Sequence, residues 1–315
     1  MQLTSIITPF TDENFRLMAQ VGVSGVAIRY PGRNVDEFLA TKQRVENFGL
    51  SITAVEGYVP IENIILGNEK AAPEIEEMKL LIRNMRTANI PTLCYNFMAG
   101  TDWVRTKLDV AERGGALVTQ FNLAQVETAS SPHYQPPASV APIDADALWE
   151  NLERFLNELV PLSEECGVTL AMHPDDPPLE SFQGKDRIMN SVESFERLVN
   201  LVPSPANGIC FCQGSFAEMG ADIPATIRRL GQHIAYVHCR DVRGTRENFT
   251  ETFHDNGPTD MVAAMRAYRE INFTGPIRPD HVPQLAGEEN GPPGYTMLGR
   301  LFAFGYLRGL LQATE

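Results

Sequence analysis

Short apolar runs rich in β-branched residues alternate along this chain with longer stretches whose apolar positions recur every three or four residues. The short runs predict strands at 4–8, 23–29, 50–55, 91–95, 116–120, 168–173, 208–212, 234–238 and 276–280. Between them, 74–88 carries Ile75, Met78, Leu81, Ile82 and Met85, and 145–166 carries Leu148, Leu152, Phe155, Leu156, Leu159 and Leu162. That spacing puts the apolar side chains on one face of a helix. Asn89, Gly167 and Gly231 each stand between a helical pattern and the next apolar run, where a left-handed cap would end the helix. Strand–helix alternation throughout predicts an α/β fold with a parallel sheet and helices outside. Depending on whether 116–120 extends the fourth unit or forms an extra strand, the count is eight or nine, and eight close a (β/α)8 TIM barrel. The 315 residues suit one such barrel, which needs about 250, so a single domain over 1–315 is expected. A doubly wound open sheet is the competing architecture. It is disfavoured because Ile7-Thr8-Pro9-Phe10-Thr11, after the first strand, holds no glycine-rich phosphate loop. The long connection at 122–143, rich in Pro, Ser and Ala and containing His133, is expected to cover the mouth of the barrel.

Composition narrows the partners. With 26 Lys and Arg against 40 Asp and Glu, the formal net charge is −14. Such a surface repels phosphate backbones and anionic lipid, so neither nucleic acid nor membrane is an expected partner. No run of about 18 apolar residues predicts a membrane span, and the N-terminal segment lacks the basic-then-apolar pattern of a signal peptide. Five scattered cysteines, Cys94, Cys166, Cys210, Cys212 and Cys239, suggest a reducing compartment rather than a disulfide framework. A cytoplasmic enzyme is the expectation.

The late strands end in a different kind of residue. The run from Val168 ends at His173, the run from Gly208 at Cys212, the run from Ile234 at His238 and the run from Pro276 at Asp280. Successive spacings of 39, 26 and 42 residues correspond to one βα unit each, and in a barrel the C-terminal strand ends converge on one mouth. Two imidazoles, a thiolate and a carboxylate form a mixed N/S/O set suited to a divalent transition metal. Singly, each has an ordinary structural explanation, such as a hydrogen-bonded histidine or a turn aspartate. Four at consecutive strand ends favour a metal site. The other four cysteines read as small core residues.

The segments His173-Pro174-Asp175-Asp176-Pro177-Pro178, Cys212-Gln213-Gly214-Ser215, Phe253-His254, Arg278-Pro279-Asp280-His281 and Pro293-Gly294-Tyr295 resemble the D-mannonate dehydratase family. So do Cys94-Tyr95-Asn96-Phe97-Met98 and Asp102-Trp103-Val104-Arg105-Thr106. The resemblance runs from about Ala54 to Leu310. It implies a xylose-isomerase-like barrel, conversion of D-mannonate to 2-keto-3-deoxy-D-gluconate and water, and a divalent metal, usually Mn2+, with Zn2+, Co2+, Ni2+ or Fe2+ as alternatives. It also implies a homo-oligomer, dimer or tetramer. The family's metal ligands fall on His173, Cys212, His238 and Asp280, and its residues around the chemical step on His281 and Tyr295. The chain departs from the family pattern in its SIITPF opening, its shorter 122–143 segment, a missing second histidine after His254, and Val282 after His281. It reads as a shortened or divergent member.

His281 and Tyr295 are expected to act as base and acid, in an order the sequence leaves open. Metal charge or Arg300 would have to lower the tyrosine from its usual value near 10. An anionic sugar acid needs local positive charge, and Arg29, Arg105, Arg240 and Arg278 lie at or near strand ends. Any of them could equally pair with internal carboxylates. Asn96 and His254 are further candidate substrate contacts, and Asp175 and Asp176 are candidates to orient His173. Competing functions are a metal-dependent sugar or keto-sugar isomerase or epimerase, a dehydratase of another aldonate, and a non-catalytic sugar-binding paralogue.

Overall fold

The computed structural model describes residues 1–131 and 140–315. Eight of its strands are parallel: β1 (Gln2–Ile6), β2 (Gly25–Ile28), β3 (Ser51–Glu56), β4 (Thr92–Tyr95), β5 (Thr169–Met172), β6 (Asn207–Cys212), β7 (Ile234–Cys239) and β8 (Pro276–Pro279). Each pairs with its neighbour in chain order, and β8 closes onto β1. The expected (β/α)8 barrel is the fold. Strands β2, β4, β6 and β8 are buried along their whole length, as befits a parallel sheet filled inside and covered outside by helices.

The run at 116–120 is not a barrel strand. Its strand, Leu117–Asn122, belongs to a four-stranded antiparallel sheet with Lys107–Ala111, Asn248–Glu251 and Val242–Thr245. The burial pattern explains the difference, because Lys107–Ala111 alternates between exposed and half-buried positions, which suits a sheet with one wet face. The first two of these strands in the chain follow β4 and the last two follow β7. Both connections leave C-terminal strand ends, so the small sheet rises over the face where barrel active sites form. The middle of the 122–143 connection, with His133, lies outside the described residues.

Helix patterns match their expected positions, at Ala71–Ala88 and Ala145–Cys166. Asn89 (φ 56°) and Gly167 (φ 67°) form the left-handed caps. Gly231 does not: it stays right-handed (φ −43°) and opens a short 3-10 turn. Its lack of a side chain serves packing instead, since a Cβ there would stand 2.7 Å from Ile271 Cγ2.

On Ala145–Cys166, Phe155 packs its ring 5.2 Å from Tyr95 and 6.1 Å from Phe97, which flank Asn96 at the end of β4. Phe155→Ala is expected to destabilise the fold by about 3–5 kcal/mol. Denaturant unfolding measures it, and a loss below about 1 kcal/mol would mean that this ring does not anchor the β4 end.

Candidate metal and active site

His173 follows β5, Cys212 ends β6, His238 lies near the end of β7 and Asp280 follows β8. Barrel register aligns them: Cys212 pairs with His238, and the Asp280 N–H donates to Cys239 O at 2.8 Å, extending the β7–β8 ladder by one residue. One ligand atom from each of the four lies within 4.8 Å of every other. His173 Nδ1 stands 2.7 Å from Pro174 O. A carbonyl only accepts, so Nδ1 carries the proton and Nε2 is the nitrogen with a lone pair to offer.

Electrostatics prepare the set for a cation. Burial pushes the Cys212 thiol up, but the Arg240 guanidinium and the two imidazoles outweigh it and hold the thiol well below its usual range. Burial opposes charge on His173, yet the Cys212 thiolate lifts the imidazole to about 9. Asp280 is held well below the carboxylate range against burial by His281, Arg278, His238 and Arg240. A divalent ion would bind the anionic sulfur and oxygen and take the place of the protons that the imidazoles hold, releasing them. His238 Nε2 is buried, with the Glu56 carboxylate 3.4 Å away, and Arg278 stands 3.2 Å from Nδ1.

His281 sits next in the chain, in a left-handed backbone conformation (φ 30°) that costs a non-glycine residue about 1–3 kcal/mol. Its Nδ1 lies 2.7 Å from Glu251 Oε1, and its ring 4.2 Å from that of Trp103. The Val282 N–H donates to Gly294 O at 2.8 Å, which brings Tyr295 back so that its ring centre is 5.5 Å from that of His281. His281, Tyr295, His173, His238 and Asp280 line one cleft at the barrel mouth, together with Arg29, Glu56, Asn96 and Trp103.

The sequence matches the D-mannonate dehydratase (UxuA) family over residues 14–134 and 138–315. The chain belongs to that family. It is 35% identical over 301 residues to a mannonate dehydratase of Oceanobacillus iheyensis, covering 89% of this chain and 86% of that one. A crystal structure of mannonate dehydratase from Streptococcus suis serotype 2 superposes with a TM-score of 0.89 at 30% identity, covering 100% of this chain and 95% of that one. A xylose isomerase domain protein from Planctomyces limnophilus, at 14% identity and a TM-score of 0.62, covers 100% of this chain and 97% of its own and shares the fold alone.

Other candidate residues of this D-mannonate dehydratase family member fall less as the sequence suggests. Arg105 and Arg240 are fully buried and do not line the cleft. Arg105 donates to Asp176 Oδ1 at 2.5 Å and to Glu251, and Arg240 to Asp176 at 2.7 Å and Glu218 at 2.8 Å. Internal carboxylates occupy the forks proposed for a substrate. Arg278 does line the cleft, but it is engaged by Glu56 at 2.7 Å and Asp280 at 2.8 Å. Arg29 is the least engaged, with 31% of its side chain exposed and one ion pair, to Glu56 at 3.8 Å, among the described residues, although Glu56 O accepts from it at 3.1 Å and Asp102 also favours its charged form. Asn96 also lines the cleft. His254 is buried away from it, donating from Nε2 to Cys239 O at 2.8 Å, and burial pushes its imidazole down to about 4. Asp175 accepts from the Met189 N–H at 2.8 Å and Asp176 holds the two arginines. Orientation of His173 comes from Pro174 O instead. Tyr295 moves opposite to expectation: burial and Asp280 raise its phenol, and Arg29 and Arg278 only partly offset them. Arg300 lies 5.5 Å from the tyrosine ring and donates to Thr8 O.

Two carboxylates were not singled out from the sequence. Glu56 ends β3 and accepts from Tyr236 Oη at 2.8 Å and Arg278 Nε at 3.0 Å; it too is a charged strand end, but on an early strand. Glu251 shares the buried side of its strand with Phe249, and an acid on the apolar face of an alternating strand is a legible signal. Burial pushes Glu251 up, but His281, Arg240 and Arg105 bring it down to about 2. Glu251→Gln leaves all four candidate metal donors in place. It is expected to keep bound metal while losing turnover, up to the roughly 10²–10⁴-fold that a positioned proton-transfer group contributes. Metal content and kcat on the same preparation check it, and an unchanged kcat would dismiss Glu251 as a positioning residue.

Proposed function

We propose that this chain is a metal-dependent hydro-lyase converting D-mannonate to 2-keto-3-deoxy-D-gluconate and water. The observation that carries the reading is the convergence of His173, Cys212, His238 and Asp280 within 4.8 Å, with His173, His238 and Asp280 lining the same cleft as His281 and Tyr295. Dehydration breaks the C–H bond next to the carboxylate and then the C–O bond of the β-hydroxyl. The electron pair released from C–H forms the new carbon–carbon double bond as hydroxide departs with a proton, as water. The resulting enol tautomerises to the 2-keto acid.

A bound divalent cation supplies Lewis acidity for substrate oxygens and for charge developing at the carboxylate. The protein's own groups do the rest. His281, backed by the Glu251 carboxylate at 2.7 Å, accepts the α-proton. Tyr295, whose phenol stays protonated in its buried position, donates to the departing hydroxyl. Arg29 holds the substrate carboxylate, and its partly exposed side chain at the cleft supports that role. Of the ions the donor set accepts, Mn2+ is our reading, from the family resemblance. No helix among the described residues is long and apolar enough to cross a membrane, and a thiolate ligand with four further free cysteines suits a reducing, cytoplasmic setting.

Purified protein loaded with Mn2+ is expected to convert D-mannonate with loss of one water, seen by mass spectrometry. His281→Asn and Tyr295→Phe should each keep stoichiometric metal and lose at least about 10²-fold in turnover. Near-normal turnover in both removes the assigned roles, and isomerisation without loss of water replaces the reading by a keto-sugar isomerase. Loss of a charge-assisted hydrogen bond is worth about 1.5–3 kcal/mol, so Arg29→Met is expected to raise KM about 10- to 100-fold with a smaller change in kcat. An unchanged KM would place the substrate carboxylate elsewhere.

A further inference from the structure

Inside the barrel, beneath the proposed catalytic set, lies a second group of soft donors. Cys94 on β4 and Cys210 on β6 point toward His238, and one ligand atom from each of the three lies within 4.8 Å of the others. All three side chains are buried. Cys94 faces Ala171 across the β4–β5 ladder, so the strand between the two cysteines presents only a methyl group at that level.

A disulfide does not explain the pair. Cys94 and Cys210 stand two strands apart, and with strands about 4.8 Å from one another their Cα atoms are separated by roughly 9 Å. Disulfides need Cα atoms within about 7 Å. A metal ion spans what a disulfide cannot: zinc–sulfur bonds of about 2.3 Å place two thiolates roughly 3.8 Å apart on a tetrahedral ion. The route in is short, because Cys94, His238 and the neighbouring Glu56 all line the cleft.

We propose that Cys94, Cys210 and His238 form a second metal site, selective for thiophilic cations such as Zn2+ or Cd2+, that competes with the catalytic set for His238. Two sulfurs and one nitrogen are softer than the one sulfur, two nitrogens and one oxygen above them. As the two sulfur–metal bonds form, two thiol protons leave to solvent. The shared imidazole is drawn away from the catalytic ion, which is released. Thiophilic ions are therefore inhibitors that act from below the substrate. The inhibition, though not the binding, rests on the proposed dehydratase reading.

Cd2+ added to the Mn2+-loaded protein tests this through three readouts: the ultraviolet charge-transfer band of cadmium–thiolate bonds, Mn2+ released to solution, and turnover of D-mannonate. Wild-type protein is expected to show the band, to release Mn2+ in step with it and to lose activity in parallel. Cys210→Ala removes one sulfur of the lower site and none of the upper set. It is expected to keep Mn2+-supported turnover and to need at least ten-fold more Cd2+ for the band, the release and the inhibition. Cys210→Ser serves the same test should the alanine variant fold poorly. Equal Cd2+ sensitivity in wild type and variant would place cadmium at Cys212 alone and overturn the second site. If D-mannonate is not turned over at all, the band and Mn2+ release still decide the site, so its failure and that of the dehydratase reading are told apart.

Discussion

Asp176 lines the cleft and accepts from Arg105 and Arg240 where all three side chains are almost wholly buried. Removing such charges from water carries a penalty of several kcal/mol per ion, offset only when partners are close and well aligned. The rest of the mouth follows from this pairing. Arg105 passes to Glu251, Glu251 to His281, Arg240 to Glu218 and Asp280, and Arg278 to Asp280 and Glu56. Each carboxylate fixes a guanidinium that fixes the next carboxylate, until the chain of pairs reaches a candidate metal donor or a residue lining the cleft. In this protein of net charge −14, the deepest cations are committed to internal acids.

That commitment explains what the sequence revealed and what it concealed. The barrel was legible because strand burial and helix periodicity are local. The four candidate metal donors could be picked out because each stands at the end of an apolar run, and barrel geometry brings such ends together. The arginines were not. Arg105 and Arg240 look like Arg29 along the chain, and only the fold shows that Asp176 and Glu251 lie against the first two. Glu251 is 146 residues from Arg105, a distance no spacing rule bridges. The same holds for 116–120, whose apolar content suggests a barrel strand but which pairs with Lys107–Ala111 on one side and with a strand in the connection after β7 on the other. Gly231 shows a subtler limit: glycine was the right residue to notice, but a crowded neighbour, not a positive φ, requires it.

Family membership and site geometry complement each other. Identity of 35% to a curated relative and close superposition on a solved mannonate dehydratase fix the family and leave the working of individual residues to be argued from this structure. The carboxylate behind His281, the carbonyl behind His173 and the raised phenol of Tyr295 are all properties of placement. A histidine with an acid on one nitrogen and a cleft on the other has a defined direction for its proton, which composition alone never specifies.

The antiparallel sheet over the barrel carries a consequence for how such enzymes diversify. It joins the connection after β4 to the connection after β7 through the pairing of Leu117–Asn122 with Asn248–Glu251, and the same two segments carry Arg105 and Glu251. In many barrels the loops are independent modules, exchanged one at a time to change specificity. Here two of them share a hydrogen-bonded seam and a buried ion pair. A loop grafted alone would arrive without its ladder partner and leave a charge stranded on the other side, so these two connections are inherited, or redesigned, as one unit.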